Sequence, residues 1–218
     1  GLRIPPLRLF TAAGPDREKL DLILANVRGA PEREGDILAQ MASTRSADER
    51  LAEVFKRYGA ATVQAAIMDL HDQSEGEMRH ALRSLPQGLY TGEDWLDDDG
   101  ASDGEPIAVR VGIEIGDGEA TFDFSLTADA ARGPLNATPF TTAASVFYAV
   151  KAIAGPDIQP NAGCARPLKI ITRPGSLLNP PLDRPVVGGN HETSQRIVDA
   201  IFRAMEPVVA KRLTAGGS

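Results

Sequence analysis

The apolar residues of this 218-residue chain change their period near Gly88, and that change limits the folds open to it. Before it, apolar side chains fall at helical spacing: Leu20, Ile23, Leu24 and Val27, then Ile37 to Phe55, then Val63, Ile67, Leu70, Met78 and Leu82. After it, Ile107, Val109, Val111, Ile113 and Ile115 occupy every second position, and Phe122, Phe124 and Leu126 do so again beyond Gly116-Asp117-Gly118. Asp-Gly between two alternating runs is a hairpin signal. The expected class is α+β: an N-terminal helical bundle over 1–87, then an α+β segment over 88–218. The latter opens with an antiparallel β-sheet and ends in a mixed α/β third with Gly/Pro/Asn-rich loops.

Local signals set the element ends. Asp16 caps a first helix that Gly29 stops, and Pro31 fits the first turn of a second helix, with an interruption expected near Ser43 to Ser46. A third helix starts near Ala60 and ends before Pro86, and three helices so closely linked should pack together. In the last third, a helix over Thr141 to Ile153, a strand over Leu168 to Thr172 and a final helix from Glu192 to Arg212 are expected. Pro207 should bend or end the last of these.

Charge and composition exclude several functions. The net charge of −7 is uneven: Thr91 to Asp123 holds eleven acidic residues against Arg110 alone, or −10, which leaves +3 elsewhere. No basic stripe for nucleic acid exists. No apolar run approaches the roughly 20 residues of a membrane span. The single Cys164 forms no internal disulfide, so a reducing, cytoplasmic setting is expected. Neither a Walker-type phosphate loop nor Gly-x-Gly-x-x-Gly before a helix is present.

Few residues offer chemistry. His71 and His80 lie nine apart on one helix and point in opposite directions, so they do not share a metal. Asp97-Asp98-Asp99-Gly100 with Asp103 and Glu105 lacks the register of a calcium loop and reads as a solvated acidic turn, or one paired to a partner's basic groups. Cys164 has no histidine nearby in sequence to activate it. Asn136 and Asn161, in Gly/Pro loops on either side of the Thr141–Ile153 helix, read either as turn formers or as binding groups. Gly188-Gly189-Asn190-His191-Glu192-Thr193-Ser194 leads into a helix start. It reads either as ordinary capping or as a place where free N–H groups meet an anion.

Several strings, in order along nearly the whole chain, resemble the hydantoinase B/oxoprolinase family. They are Gly1-Leu2-Arg3-Ile4-Pro5-Pro6, Leu22 to Arg28, Asp97-Asp98-Asp99-Gly100, Arg132-Gly133-Pro134-Leu135-Asn136, Asn161-Ala162-Gly163-Cys164 with Arg166-Pro167, Gly175 to Pro180, and Gly188-Gly189-Asn190 with Glu192-Thr193-Ser194-Gln195. The family includes N-methylhydantoinase B subunits, the C-terminal half of 5-oxoprolinase and the large subunits of acetone and acetophenone carboxylases. His71 and His191 stand where the family more often has a hydrophobic residue, so the resemblance gives them no ligand role.

The resemblance implies ATP-dependent hydrolysis of a small cyclic amide such as a hydantoin or 5-oxoproline. A hydantoinase A-type partner binds ATP, and the B-type subunit handles the activated intermediate within a hetero-oligomer. It also implies a divalent metal held by His/Asp motifs that are absent from these residues, so the chain is expected to be an internal piece, inactive by itself. A carboxylase is the alternative. Candidate roles follow from residue type and loop context: Glu192 as base or as the orienter of another group and Asn190 as oxyanion donor in catalysis, with Asn136, Asn161 and Arg166 binding substrate, the arginine as an anion clamp.

Overall fold

The computed structural model describes residues 4–101 and 104–209. Asp103, the Gly1-Leu2-Arg3 string and the expected end of the last helix at Arg212 lie outside the described residues. The chain divides into two compact units, 1–67 and 68–218.

The first unit opens with a two-residue pairing, β1 (Phe10–Thr11) against β2 (Gly14–Pro15). Helix α1 (Arg17–Leu24) follows, and Asp16 caps it by accepting the Lys19 N–H at 3.3 Å. Leu20 and Ile23 are its buried residues. Gly29, expected as a stop, instead begins α2 (Ala30–Tyr58) in the left-handed region at φ 65°, with Pro31 in the first turn. The expected interruption is absent, because Ser43 and Thr44 fold their hydroxyls onto the carbonyls of Ala39 and Gln40 and leave the backbone ladder intact. Helix α2 buries none of its residues, and Leu51, Val54, Phe55 and Tyr58 stand exposed along its C-terminal half. The packing expected of consecutive helices is realised in this unit as α1 against α2, joined by Arg17 to Glu34 at 2.6 Å.

Helix α3 (Ala60–Arg83) enters the second unit, where Ser74, Met78 and Leu82 are buried. Strands β3 (Gly88–Leu96), β4 (Ile107–Gly116) and β5 (Glu119–Asp123) form the expected antiparallel meander, and the β4–β5 turn is Asp117-Gly118, both at positive φ. The alternation predicted for β4 is realised: Val109, Val111, Ile113 and Ile115 are buried on the inner face. It fails beyond β5, where Phe124 is buried but Leu126 is exposed, because Asp123 Oδ1 accepts the Ser125 N–H and turns the chain.

The strand from the last third adds a parallel edge to this sheet. Strand β6 (Leu168–Ile171) joins the far edge parallel to β5, giving a mixed four-stranded sheet in the order β3-β4-β5-β6. The crossover from β5 to β6 carries α4 (Pro139–Ala154) and the short α5 (Ala162–Ala165), the kind of long connection a parallel pair requires. Helix α6 (Thr193–Val209) packs on β3 and β4 and beside α4, covering the inner face with Ile197, Ala200, Ile201, Ala204 and Met205. It runs on through Pro207 to Val209, so the proline does not end the helix there, although it gives up the N–H bond to the Arg203 carbonyl. Among the described residues no helix is long and apolar enough to cross a membrane.

Candidate functional site

Three chain segments that are far apart in sequence meet near the N-terminal ends of α4 and α6. Asn136 is at their centre and fully buried. Its Oδ1 accepts the Ala131 N–H at 2.8 Å, and its Nδ2 donates to the carbonyls of Ala131, Gly133 and Pro185 at 3.0–3.1 Å. Both ends of the amide are therefore consumed in tying the 131–136 loop to the 185–190 segment. That occupancy puts Asn136 in the scaffold of the loop cluster rather than on its surface. Asp99 fastens the same loop from the acidic turn: its Oδ2 accepts Arg132 N and Gly133 N at 2.9 and 2.8 Å, while its Oδ1 accepts Ala101 N at 2.9 Å. A side chain at Gly189 would overlap the Asn136 carbonyl oxygen, so the glycine pair permits the two loops to touch.

This scaffold presents Asn190 and Glu192. Asn190 ends a turn of 3₁₀ helix (Val187–Asn190), and Thr193 starts α6, donating its hydroxyl to Leu135 O. Thr141 on α4 donates to Asn190 Oδ1 at 3.1 Å, which leaves the Nδ2 group as a donor. Thr138 caps α4 by accepting the Thr141 N–H. Two residues on, Glu192 is about half exposed, with His191 Nδ1 3.8 Å from its carboxylate. The two candidates open on different hollows. Asn190 lines a cleft of about 820 Å³ between α4 and α6 whose walls include Phe140, Tyr148 and Phe202, with Ser145, Gln195 and Asp199 as polar groups. Glu192 borders a second hollow of about 400 Å³ with Asp97, Asp98, Asp99 and Leu135.

Asn161 and Arg166 form a separate contact. Asn161 caps α5 by accepting Gly163 N at 2.8 Å and donates to Ser74 Oγ of α3 at 2.8 Å. Arg166 pairs with Asp72 at 2.6 Å and Glu75 at 2.9 Å on the same helix. Hydrogen bonds from Arg166 and then Arg79 hold the Glu75 carboxyl below the ordinary range, and those to Asp72 and Glu75 raise the Arg166 guanidinium. These bonds pin α5 to α3, where Gly163 lies against the His71 carbonyl. Cys164 is buried beside them and donates to Asn161 O at 2.9 Å.

Sequence reasoning missed the acid–base cluster behind the cleft. Asp94, buried on the inner face of β3, meets Arg203 at 3.0 Å and Arg196 at 3.2 Å, and Arg196 also holds Asp199 at 3.1 Å. The signal was an aspartate at an inward position of an alternating strand, which demands a buried partner. Among the described residues no three His, Cys, Asp or Glu side chains converge as a metal would need. Neither hollow is lined by Lys or Arg, and the carboxylates that border both would repel a polyphosphate such as ATP.

The segments that form this cluster are the ones whose strings carry the family resemblance, and comparison with known proteins agrees. The chain is 35% identical, over all of its length and 38% of the other protein's, to an uncharacterized protein of Methanocaldococcus jannaschii. It superposes on the crystal structure of the ATP-dependent caprolactamase from Pseudomonas jessenii with a TM-score of 0.87 and 29% identity, covering 99% of this chain and 37% of that one. A nucleotide-free acetone carboxylase shares the fold at a TM-score of 0.86 and 15% identity, over 97% of this chain and 30% of that one. The chain thus spans under two fifths of the length of these relatives. Residues 1–218 match the hydantoinase B/oxoprolinase family from end to end, and the chain belongs to it.

Proposed function

We propose that this chain is part of the B-type subunit of an ATP-dependent cyclic-amide hydrolase, working with an A-type partner on a hydantoin, 5-oxoproline or related lactam. The observation that carries the reading is the likeness, over 99% of this chain, to an ATP-dependent caprolactamase, an enzyme named for a lactam. A relative named as the beta subunit of that enzyme supports a multisubunit assembly. The carboxylase alternative is supported by fold alone, at 15% identity.

Ring opening needs a carbonyl made electrophilic, a water aimed at it and a donor for the oxygen that gains charge. On this reading the substrate straddles the 190–192 turn that separates the two hollows: Glu192 takes the proton from the attacking water on one side, and Asn190 Nδ2 donates to the developing oxyanion on the other, with Thr141 fixing the amide from its other end. Asn136 holds the two loops in register, and Asn161 with Arg166 fixes the α5 turn on α3. ATP supplies the activation; it and the divalent metal are assigned to the partner and to other parts of the subunit, because the residues around the two hollows suit neither.

The test is ADP release by the complete B-type subunit carrying this segment, assayed with its A-type partner and a panel of hydantoins, 5-oxoproline and caprolactam. Release with ring-opened product and no need for bicarbonate is expected. ADP release only with a ketone and bicarbonate would transfer the assignment to a carboxylase, and no release with any lactam would remove it.

A further inference from the structure

Asp94 faces inward from β3, between Gly92 and Leu96 on the same face, and is 3% exposed. Arg203 approaches its Oδ1 at 3.0 Å, and Arg196 Nη1 stands 3.2 Å from Oδ2. Arg196 supplies charge, but none of its N–H bonds is aimed at Oδ2, which is left as a buried acceptor without a hydrogen-bond donor. An orphaned oxygen of this kind keeps the whole cost of its lost hydration.

The donor that would satisfy it is close at hand. The other amino group of the same guanidinium, Nη2, holds Asp199 Oδ2 at 3.1 Å, so the two carboxylates stand side by side on the two amino groups of Arg196. Two carboxylates gathered on one guanidinium repel each other, and a single proton between them removes the repulsion and fills the empty acceptor at once. Asp199 also lines the cleft between α4 and α6, so its charge state is felt there.

We propose that Asp199 carries a proton which it donates to Asp94 Oδ2, so that this carboxyl pair latches α6 onto β3 in acidic solution and the latch weakens as the proton leaves.

The charged and titratable groups around the pair are few. From β3, Glu93 directs its carboxylate to Arg110 at 3.0 Å and lends only its carbonyl to Arg203. From β4, the residue opposite Asp94 is the apolar Val109. Helix α6 contributes Arg196 and Arg203 themselves. Helix α4 contributes Ser145 and Tyr148 to the shared cleft, and its Lys151 binds the carbonyls of Pro156 and Ile158. Burial, reinforced by the Asp94 charge, lifts the Asp199 carboxyl above its ordinary 3.8, with Arg196 and Arg203 pulling the other way. A carboxyl raised on folding binds its proton more tightly in the folded state. Its contribution is complete below the ordinary aspartate value and is lost as pH rises through the raised one.

Asp199→Asn separates this latch from a plain ion pair, since an asparagine amide donates to Asp94 at every pH. Thermal unfolding of the 218-residue chain and of D199N, followed upward from about pH 3.5 to about pH 8, should show the wild type losing Tm relative to the variant by a few degrees as pH rises above the ordinary aspartate value. A difference that stays constant over that range overturns the proposal. Carboxyl carbon NMR of the unsubstituted chain is the second measurement, independent of the variant's folding. The Asp199 resonance should titrate above the ordinary aspartate value, and a midpoint at or below it also overturns the proposal.

Discussion

Asp99 Oδ2 accepts the backbone N–H of Gly133 at 2.8 Å across 34 residues, joining the acidic turn to the loop that Asn136 organises. The bond depends on the glycine as well as the acid, because a side chain at position 133 would overlap the Asp99 carbonyl oxygen. Asp99 is 3% exposed, and three backbone N–H groups depend on its two oxygens. Its role is therefore structural, unlike that of Asp97 and Asp98, which stand more open beside the Glu192 hollow. Hydrogen bonds to charged groups contribute about 1.5–3 kcal/mol each, partly offset when water replaces them. Asp99→Ala should lower unfolding stability in urea by about 2–4 kcal/mol, whereas Asp98→Ala should change it by less than about 1 kcal/mol.

Gly92 sets how closely α6 approaches β3. A side-chain carbon there would overlap Ala200 O and come within 2.6 Å of Ala204 N, both of them backbone atoms that cannot swing aside. Gly92→Ala must push α6 off the sheet and separate Asp94 from Arg196 and Arg203. Overpacking of this kind costs about 1–3 kcal/mol before any loss of the ion pairs. Urea unfolding checks it; a midpoint unchanged from the wild type would mean that α6 does not rest on this strand.

Ion pairing of α5 on α3 predicts an acid sensitivity. Hydrogen bonds from Arg166 first and Arg79 second lower the Glu75 carboxyl from its ordinary 4.5. A carboxyl lowered on folding stabilises the fold above its ordinary value, and that contribution is lost as pH falls toward the lowered one. Arg166→Ala removes the larger cause. The Glu75 carboxyl should then titrate at a higher pH in carboxyl carbon NMR, and the variant should show a shallower loss of Tm below about pH 4.5 than the wild type. Parallel acid curves and an unmoved titration would show that Arg79 alone holds Glu75.

The alternation in β4 and the Asp117-Gly118 turn made the hairpin legible in the sequence, since strand period and positive-φ turn residues are local properties. The parallel addition of β6 was not legible, because Leu168 to Ile171 has the same composition whichever way it pairs. The apolar face of α2 shows a further limit of the sequence. Leu51, Val54, Phe55 and Tyr58 carry helical periodicity, but periodicity states which face is apolar and not what covers it. At the site, residue type says where the loops lie and not what each side chain within them does. Asn136 and Asn190 look alike in sequence, each an asparagine in a Gly-containing loop, yet one is sealed by four hydrogen bonds and the other keeps a free donor.

That contrast makes a prediction that separates scaffold from chemistry. Asn136→Ala strips partners from Ala131, Gly133 and Pro185 inside a fully buried pocket, and each unsatisfied group costs about 1–3 kcal/mol. The 218-residue chain should be destabilised by several kcal/mol, or fail to accumulate as folded protein. Asn190→Ala gives up only a bond to the Thr141 hydroxyl at the cleft edge, so its urea midpoint should lie close to that of the wild type. In the complete enzyme the order should reverse. Loss of the Asn190 donor should cut turnover by about 100-fold or more, the scale on which removing one oxyanion donor acts. Glu192→Gln should do so by a similar factor. Measured together, stability and turnover distinguish the two asparagines, because a loop that merely caps α6 would lose no rate on substitution at 190 and 192.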